Sequence, residues 1–336
     1  MTEYSLLARI LTAIFYGVSS VLIVLVNKLM LTNYRHPTLP FIKAKFSCRF
    51  PSFLVVALGQ MLATIVILRL AKLLNIVKFP SIDSSIPRKI FPLPLLYGIN
   101  VVSGLGGTQM INLAMFTVLR RFSILITMVL EFYILRVVAS REVRLSIALM
   151  IAGSIIAAFY DLSFDAYGYA LVTINNLCTS AVGVYTKQKL DAKDLGKYGL
   201  MYYNCLFIIA PLSYLCYYTG DLETAILFMK SDKMTPAVWC CFITTCICGF
   251  ILNYALVVCT QCNSALTTQC VGPIKNLLVT YLGMFSSGDF IFQWFNFIGI
   301  NISVLGSILY TYVTFCAKPS PQTVLPSKCP EKKAFV

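Results

Sequence analysis

Long apolar blocks separated by short polar joints dominate the chain. About 20 mostly apolar residues suffice to cross a bilayer as a helix, and the hydropathy pattern predicts ten such spans, at 6–31, 50–70, 90–111, 114–136, 143–160, 167–187, 198–219, 236–260, 264–286 and 291–316. The expected fold class is therefore an all-α membrane protein with one transmembrane domain at 6–316, a short stub at 1–5 and a polar tail at 317–336. The first span is longer than a signal-peptide core and lacks a small-residue cleavage site, so it reads as retained. Ten spans divide as five plus five, in halves of about 6–160 and 161–316, with the join near AFYDLSFDAYGYA at 158–170. Many carriers are built from inverted repeats with the solute bound near the midplane at their interface. Composition agrees: 58% of the 336 residues are hydrophobic, 12% are charged, and the mean hydropathy is +0.80.

Three cations interrupt this pattern. Arg120 and Arg121 lie in AMFTVLRRFSILITMVLEF, and Lys275 lies in SALTTQCVGPIKNLLVTYLGMF. A cation near the bilayer centre costs roughly 2.5–3.5 kcal/mol on insertion scales, so it normally faces a cavity and has a partner there. Few carboxylates in the spans offer themselves, which points to an anionic solute as the partner. The cations also occupy corresponding places, the fourth span of one half and the ninth of the chain, where Asn112-Leu-Ala114 and Asn263-Ser-Ala265 open the two segments. Gly272-Pro273 precedes Lys275, and a proline frees part of the helical hydrogen-bond ladder while glycine permits close backbone approach. A helix broken beside a buried cation is a recurrent anion site in membranes. The plainer alternative is a proline kink with Lys275 snorkelling to the interface, but Lys275 sits about eleven residues into its span, near mid-depth. For Arg120 and Arg121 the plainer alternative is contact with lipid headgroups, since adjacent residues cannot share one helix face.

The formal net charge of +14 suggests nucleic acid until its distribution is read. With the N-terminus in the cytosol, one side holds Arg9, Arg69, Lys72, Lys78, Arg88, Lys89, Arg136, Arg141, Arg144, Lys187, Lys189, Lys193, Lys197, Lys318, Lys328, Lys332 and Lys333. The other holds only Lys28, Arg35, Lys43, Lys45, Arg49, Lys230 and Lys233. This asymmetry is the positive-inside pattern and predicts both termini in the cytosol, so the basic excess implies membrane topology and no nucleic-acid partner. One histidine, His36, stands beside Pro37 in a loop. Without a second histidine or clustered carboxylates, neither a histidine metal centre nor a Ser-His-Asp arrangement can be assembled, and no metal or cofactor is expected. Most of the thirteen cysteines fall in apolar spans, where cysteine serves as a small apolar residue. The sequon at Asn301-Ile-Ser303 lies within the last span and is expected to be unused.

Polar and aromatic residues within other spans complete a candidate pocket. Tyr202-Tyr203-Asn204 opens the seventh span, offering rings to stack and an amide able to read a base edge. The first span carries Tyr16 and ends in Asn27-Lys28. A lone tyrosine is more often an interface-belt residue than a ligand contact; aromatic, amide and cation together suggest a nucleotide-like solute.

The segments FYGVSSVLIVLVNKLMLTNYR, KFPSIDSSIPRKIFPLPLLYG, MFTVLRRFSILITM, VYTKQKLDAKDLGKYGLMYYN, NSALTTQCVGPIKN and SSGDFIFQWFNFIGINIS resemble the nucleotide-sugar transporters of solute carrier family 35, subfamily D, in order and over almost the whole chain. The resemblance implies a ten-helix drug/metabolite-transporter fold in the endoplasmic reticulum or Golgi. It also implies exchange of a cytosolic UDP-sugar (UDP-glucuronic acid, UDP-N-acetylgalactosamine, UDP-N-acetylglucosamine or UDP-glucose) for luminal UMP. GDP-mannose transporters carry FYNN, which reads guanine, and GALNK, which lies against phosphate and sugar. This chain has YYNC at 202–205 and GPIKN at 272–276, keeping Tyr203, Asn204, Gly272, Lys275 and Asn276 while Cys205 replaces the second amide. That loss suits a base other than guanine. By the same spacing Asn253 and Thr268 fall where those transporters place further nucleotide contacts. The site expected from residues and resemblance together is thus Tyr16, Lys28, Arg120, Arg121, Tyr203, Asn204, Asn253, Thr268, Gly272, Lys275 and Asn276.

Family members run directly from NYR into FPS, whereas His36 to Arg49 intervene here, and their GPIKN-type motif usually has alanine or cysteine in place of Pro273. A GDP-sugar or other phosphorylated-solute exchanger of the same fold is the near alternative. A polytopic glycosyltransferase is the alternative from another class, but Asp161, Asp165, Asp221 and Glu223 lack a catalytic spacing. Lys332-Lys333-Ala334-Phe335-Val336 resembles a dilysine retrieval signal one residue out of register. A homodimer is left open.

Overall fold

The computed structural model describes residues 4–31, 50–110, 119–158, 166–231, 234–272 and 294–315, and every regular element of more than one residue among them is a helix. In chain order these are α1 (Leu6–Leu31), α2 (Phe53–Leu73), α3 (Ile86–Ile90), α4 (Leu93–Met110) and α5 (Phe122–Leu130), which closes in a π turn at Glu131–Leu135. They continue with α6 (Arg141–Ala158), α7 (Ala166–Ala192), α8 (Gly196–Tyr218), α9 (Asp221–Lys230) and α10 (Pro236–Cys262). A helical stretch follows at 265–272, and the last helix is α11 (Trp294–Phe315).

Local chemistry sets several boundaries. Ser52 caps α2, its Oγ accepting the Val55 N–H at 3.2 Å. Pro236 opens α10 at a position where a missing N–H costs nothing. Gly220 turns the chain from α8 into α9 with φ +74°, a backbone region open to glycine without strain. The short helices α3 and α9 are additions to the expected spans.

The exposed surface inverts that of a water-soluble protein. Leu7, Leu11, Ile14, Val18 and Leu22 form an exposed stripe down α1, and Leu62, Val66, Leu70 and Leu73 form another down α2. Such stripes at helical spacing suit lipid contact. Among the described residues, four helices are long and apolar enough to cross a membrane: α1 over Leu6–Ile23, α2, α8 and α10.

Inside, three clusters bind the helices. Leu54, Val56, Ile208, Leu212 and Val238 join α2, α8 and α10 at one end. Leu68, Ile90, Leu190, Leu200 and Val257 join α2, α3, α7, α8 and α10 at the other. Ile124, Met150, Leu266 and Tyr310 gather α5, α6, 265–272 and α11. The α6–α11 pair packs backbone to backbone. A β-carbon on Gly153 would strike the Ser303 main chain, one on Gly299 the Ala157 main chain, and one on Gly306 would lie 2.7 Å from the Met150 nitrogen. Small residues allow this approach, which is how helices associate where lipid removes the hydrophobic drive. Ser303, the third residue of the sequon, is buried in this seam.

Candidate functional site

The fourth predicted span is not one helix. Leu119 is helical, Arg120 and Arg121 form a turn, and α5 starts afresh at Phe122. Ser123 and Ile124 donate their N–H groups to the carbonyls of Arg120 and Arg121 at 3.1 Å each, a tighter i→i+3 turn. The neighbouring α7 stabilises the interruption: Asn176 Nδ2 donates to the Leu119 carbonyl at 2.7 Å, and Ser180 Oγ donates to the Ser123 carbonyl at 2.8 Å. Backbone groups released by the break thus find side-chain partners, as a bilayer interior requires. The expected break at Gly272-Pro273 lies at the edge of the described residues; the one displayed is at the arginines.

Arg120 is exposed by surface area at the turn that interrupts the span. Its guanidinium lies within electrostatic range of the Tyr16 hydroxyl on α1, and Tyr16 lies within the same kind of range of the Cys259 thiol on α10. One residue on, Gly17 packs against the 265–272 stretch, its would-be β-carbon 3.5 Å from Val271. No described atom lies within 4 Å of the corresponding point on Gly272. Arg121 is partly buried at the start of α5. Tyr16, Arg120 and the backbone leading to Gly272 therefore converge.

A second group forms where α8 meets α10. Asn253 Nδ2 donates to Cys205 Sγ at 3.7 Å, so the cysteine that replaces a second amide in YYNC is in contact with another of the expected residues. Asn204 Oδ1, one position earlier, is buried with no hydrogen-bond partner among the described residues. Tyr203 points elsewhere. It is 1% exposed, its hydroxyl donates to the Pro80 carbonyl at 2.7 Å, and its ring meets Phe79 and Tyr202 edge-on at 6.2 and 5.1 Å. Here it ties α8 to the loop before α3. Thr268 is buried at the corner after α10, donating to the Ser264 carbonyl at 3.0 Å and accepting from Thr260 at 3.2 Å. Lys28 lies in α1, but its side chain is outside the described residues, as are Lys275, Asn276 and the 36–49 insert.

Two features escaped the sequence reading. Glu131, at the end of α5, is buried, and the rule that singled out Arg120, an ionisable residue within an apolar run, applies to it equally. The second is a polar seam between α4 and α7, where Asn175 Nδ2 and Thr179 Oγ1 donate to Asn100 Oδ1 at 2.9 and 2.6 Å. Only the packing of the two helices reveals it. A cavity of about 620 Å³ between α4, α7 and α8, lined by Gly98, Val102, Ile174, Phe207 and Tyr214 among others, is almost wholly apolar and offers no cation. It suits no phosphate.

The profile of the Triose-phosphate Transporter family matches residues 8–311. The chain is 67% identical to the UDP-sugar transporter sqv-7 of Caenorhabditis elegans, over 93% of this chain and 91% of that one. It is 50% identical to the UDP-sugar transporter UST74c of Drosophila melanogaster, over 95% and 82%. It is 45% identical to the human nucleotide sugar transporter SLC35D2, over 95% and 90%. A solved crystal structure only 15% identical superposes with a TM-score of 0.60, covering 90% of this chain and 98% of that one, and so shares the fold. With a family profile over nearly its whole length and such relatives across it, the chain belongs to the Triose-phosphate Transporter family, alongside the D-type nucleotide-sugar transporters.

Proposed function

We propose that the chain is a carrier, not an enzyme, that moves UDP-sugars from the cytosol into the lumen of the endoplasmic reticulum or Golgi in exchange for UMP. The observation that carries this is that relatives 67% and 50% identical over more than nine-tenths of the chain are named UDP-sugar transporters. The site supports it in kind. Arg120 beside a broken helix suits a phosphate, and Cys205 against Asn253 leaves fewer amides for reading a guanine edge. The cytosolic placement of both termini rests on the positive-inside distribution of lysine and arginine.

The reading includes ten spans in two inverted halves. Helix pairing supports it when the spans are taken as α1, α2, α4, α5, α6, α7, α8, α10, the 265–272 stretch with its continuation, and α11. The first packs on the eighth, the third on the sixth, the fifth on the tenth, the second on the seventh and eighth, and the third on the seventh. Exchanging each span with the one five places on maps this set onto itself. The fourth packs on the sixth, and its mate, ninth on first, has the Gly17–Val271 contact.

Counterflow in proteoliposomes tests the function. UMP-loaded vesicles are expected to accumulate labelled UDP-sugars and GMP-loaded vesicles are not; equal uptake with GMP inside overturns the uridine assignment.

A further inference from the structure

Among the described residues Glu131 is the one buried carboxylate, 4% exposed. Its Oε1 accepts the Leu266 N–H at 2.9 Å, and the Ala265 N–H and Ser264 side chain lie within electrostatic range. Lys187 is within electrostatic range, but its ammonium donates to the Gln261 carbonyl at 2.9 Å and pairs with Asp191 at 3.4 Å. The carboxylate is therefore held chiefly by the start of the 265–272 helix, whose free N–H groups and dipole favour negative charge. That helix does not need it as a cap, because Ser264 Oγ already accepts the Thr267 N–H at 3.0 Å. Burying a carboxylate is costly unless its bonds offset desolvation. What Glu131 adds is a bond between α5 and the 265–272 stretch.

The same corner is fastened from two more sides. Asn263 Nδ2 donates to the Arg9 carbonyl and to Thr12 Oγ1 of α1, each at 3.2 Å, and Lys187 brings α7 to Gln261.

We propose that Glu131 is the latch of a gate: its bond to the Leu266 N–H holds the bundle shut at the Arg9–Lys187 face and breaks when that face opens. The proposal rests on the transport reading, in which α5 carries the arginine break and the 265–272 helix leads to Lys275. The latch joins the two elements that would grip a phosphate, so opening at this face and release of the ligand become one event. A bond present in only one of two states biases the equilibrium by its own strength.

The test is alkylation of the purified full-length protein in detergent, with the rate at each cysteine followed by mass spectrometry. Cys259 is fully buried behind the corner, accepting from Thr268 at 3.5 Å and Asn263 at 3.8 Å. Cys216, equally buried in α8, reports on the fold elsewhere. In Glu131→Ala the Cys259 rate is expected to rise about tenfold, the effect of losing one buried charged bond, with Cys216 unchanged. Glu131→Gln keeps an acceptor oxygen without the charge, should fold even where the alanine variant does not, and should give the same contrast at smaller amplitude. An equal rise at both cysteines means general loosening, and no rise at Cys259 means no gate; either overturns the latch. UDP-sugar counterflow by the unsubstituted protein decides the transport reading separately, because the thiol contrast requires no substrate.

Discussion

Tyr203 and Asn204 are neighbours on α8 with opposite hydrogen-bond situations. Tyr203 is fully engaged, its hydroxyl on the Pro80 carbonyl, while the buried Oδ1 of Asn204 has no partner among the described residues. An unsatisfied buried polar group costs about 1–3 kcal/mol, and a ligand donor that meets it recovers that cost. The two residues should therefore separate stability from binding. Tyr203→Phe is expected to lower the melting temperature by the equivalent of about 1 kcal/mol, the worth of one hydrogen bond, and to leave UMP-dependent stabilisation unchanged. Asn204→Leu should leave the ligand-free protein as stable or more so, and abolish most of the stabilisation by UMP. Thermal unfolding of purified protein with and without UMP measures both. Intact stabilisation in Asn204→Leu would remove Asn204 from the site. Nothing in YYNC distinguishes these neighbours, since adjacent helical residues point about 100° apart and sequence alone does not say which direction is inward.

At the scale of the elements, what was legible in the sequence is what long apolar runs report. A helix lies at the place of each expected span among the described residues, with ends displaced by a few residues, as where α7 extends to Ala192. The interruption at Arg120–Arg121 was not legible, because arginine is a good helix former and only the partners on α7, Asn176 and Ser180, reveal where the ladder opens. Glu131 was overlooked for a related reason: its partner is a backbone N–H 135 positions away. The α6–α11 seam lies between these cases, for its glycines are visible but their closeness is not. That closeness carries a prediction. Gly299→Leu forces a side chain into the Ala157 backbone, where overpacking costs about 1–3 kcal/mol or more because main chain cannot step aside. Gly98→Ala meets no described atom within 4 Å. Detergent-solubilised monodisperse yield should collapse for the first and stay unchanged for the second; comparable yields would show that the seam can spread.

For the whole molecule the decisive relation is between the halves. The fourth and ninth spans are exchanged by the proposed repeat, and each carries cations in an apolar setting, Arg120 and Arg121 on one and Lys275 on the other. On the proposed function a diphosphate bound by both sets of cations would link binding to the relative motion of the halves. Lys275 is then the stricter test, because a compact ammonium in a confined site is replaced by neither a neutral amide nor a planar guanidinium. Lys275→Gln is expected to lose affinity for UDP-sugar and for UMP together, since both present phosphate to one locus. It should still insert and fold, because the change removes a costly intramembrane charge and little packing. Lys275→Arg should also transport poorly. On the proposed function, UMP at 100 times its dissociation constant is expected to stabilise the unsubstituted protein by about 2.7 kcal/mol, a margin wide enough to read in thermal unfolding. If Lys275→Gln keeps that full stabilisation, Lys275 is a snorkelling residue, the phosphate rests on the other half alone, and Arg120 and Arg121 become the residues to substitute next.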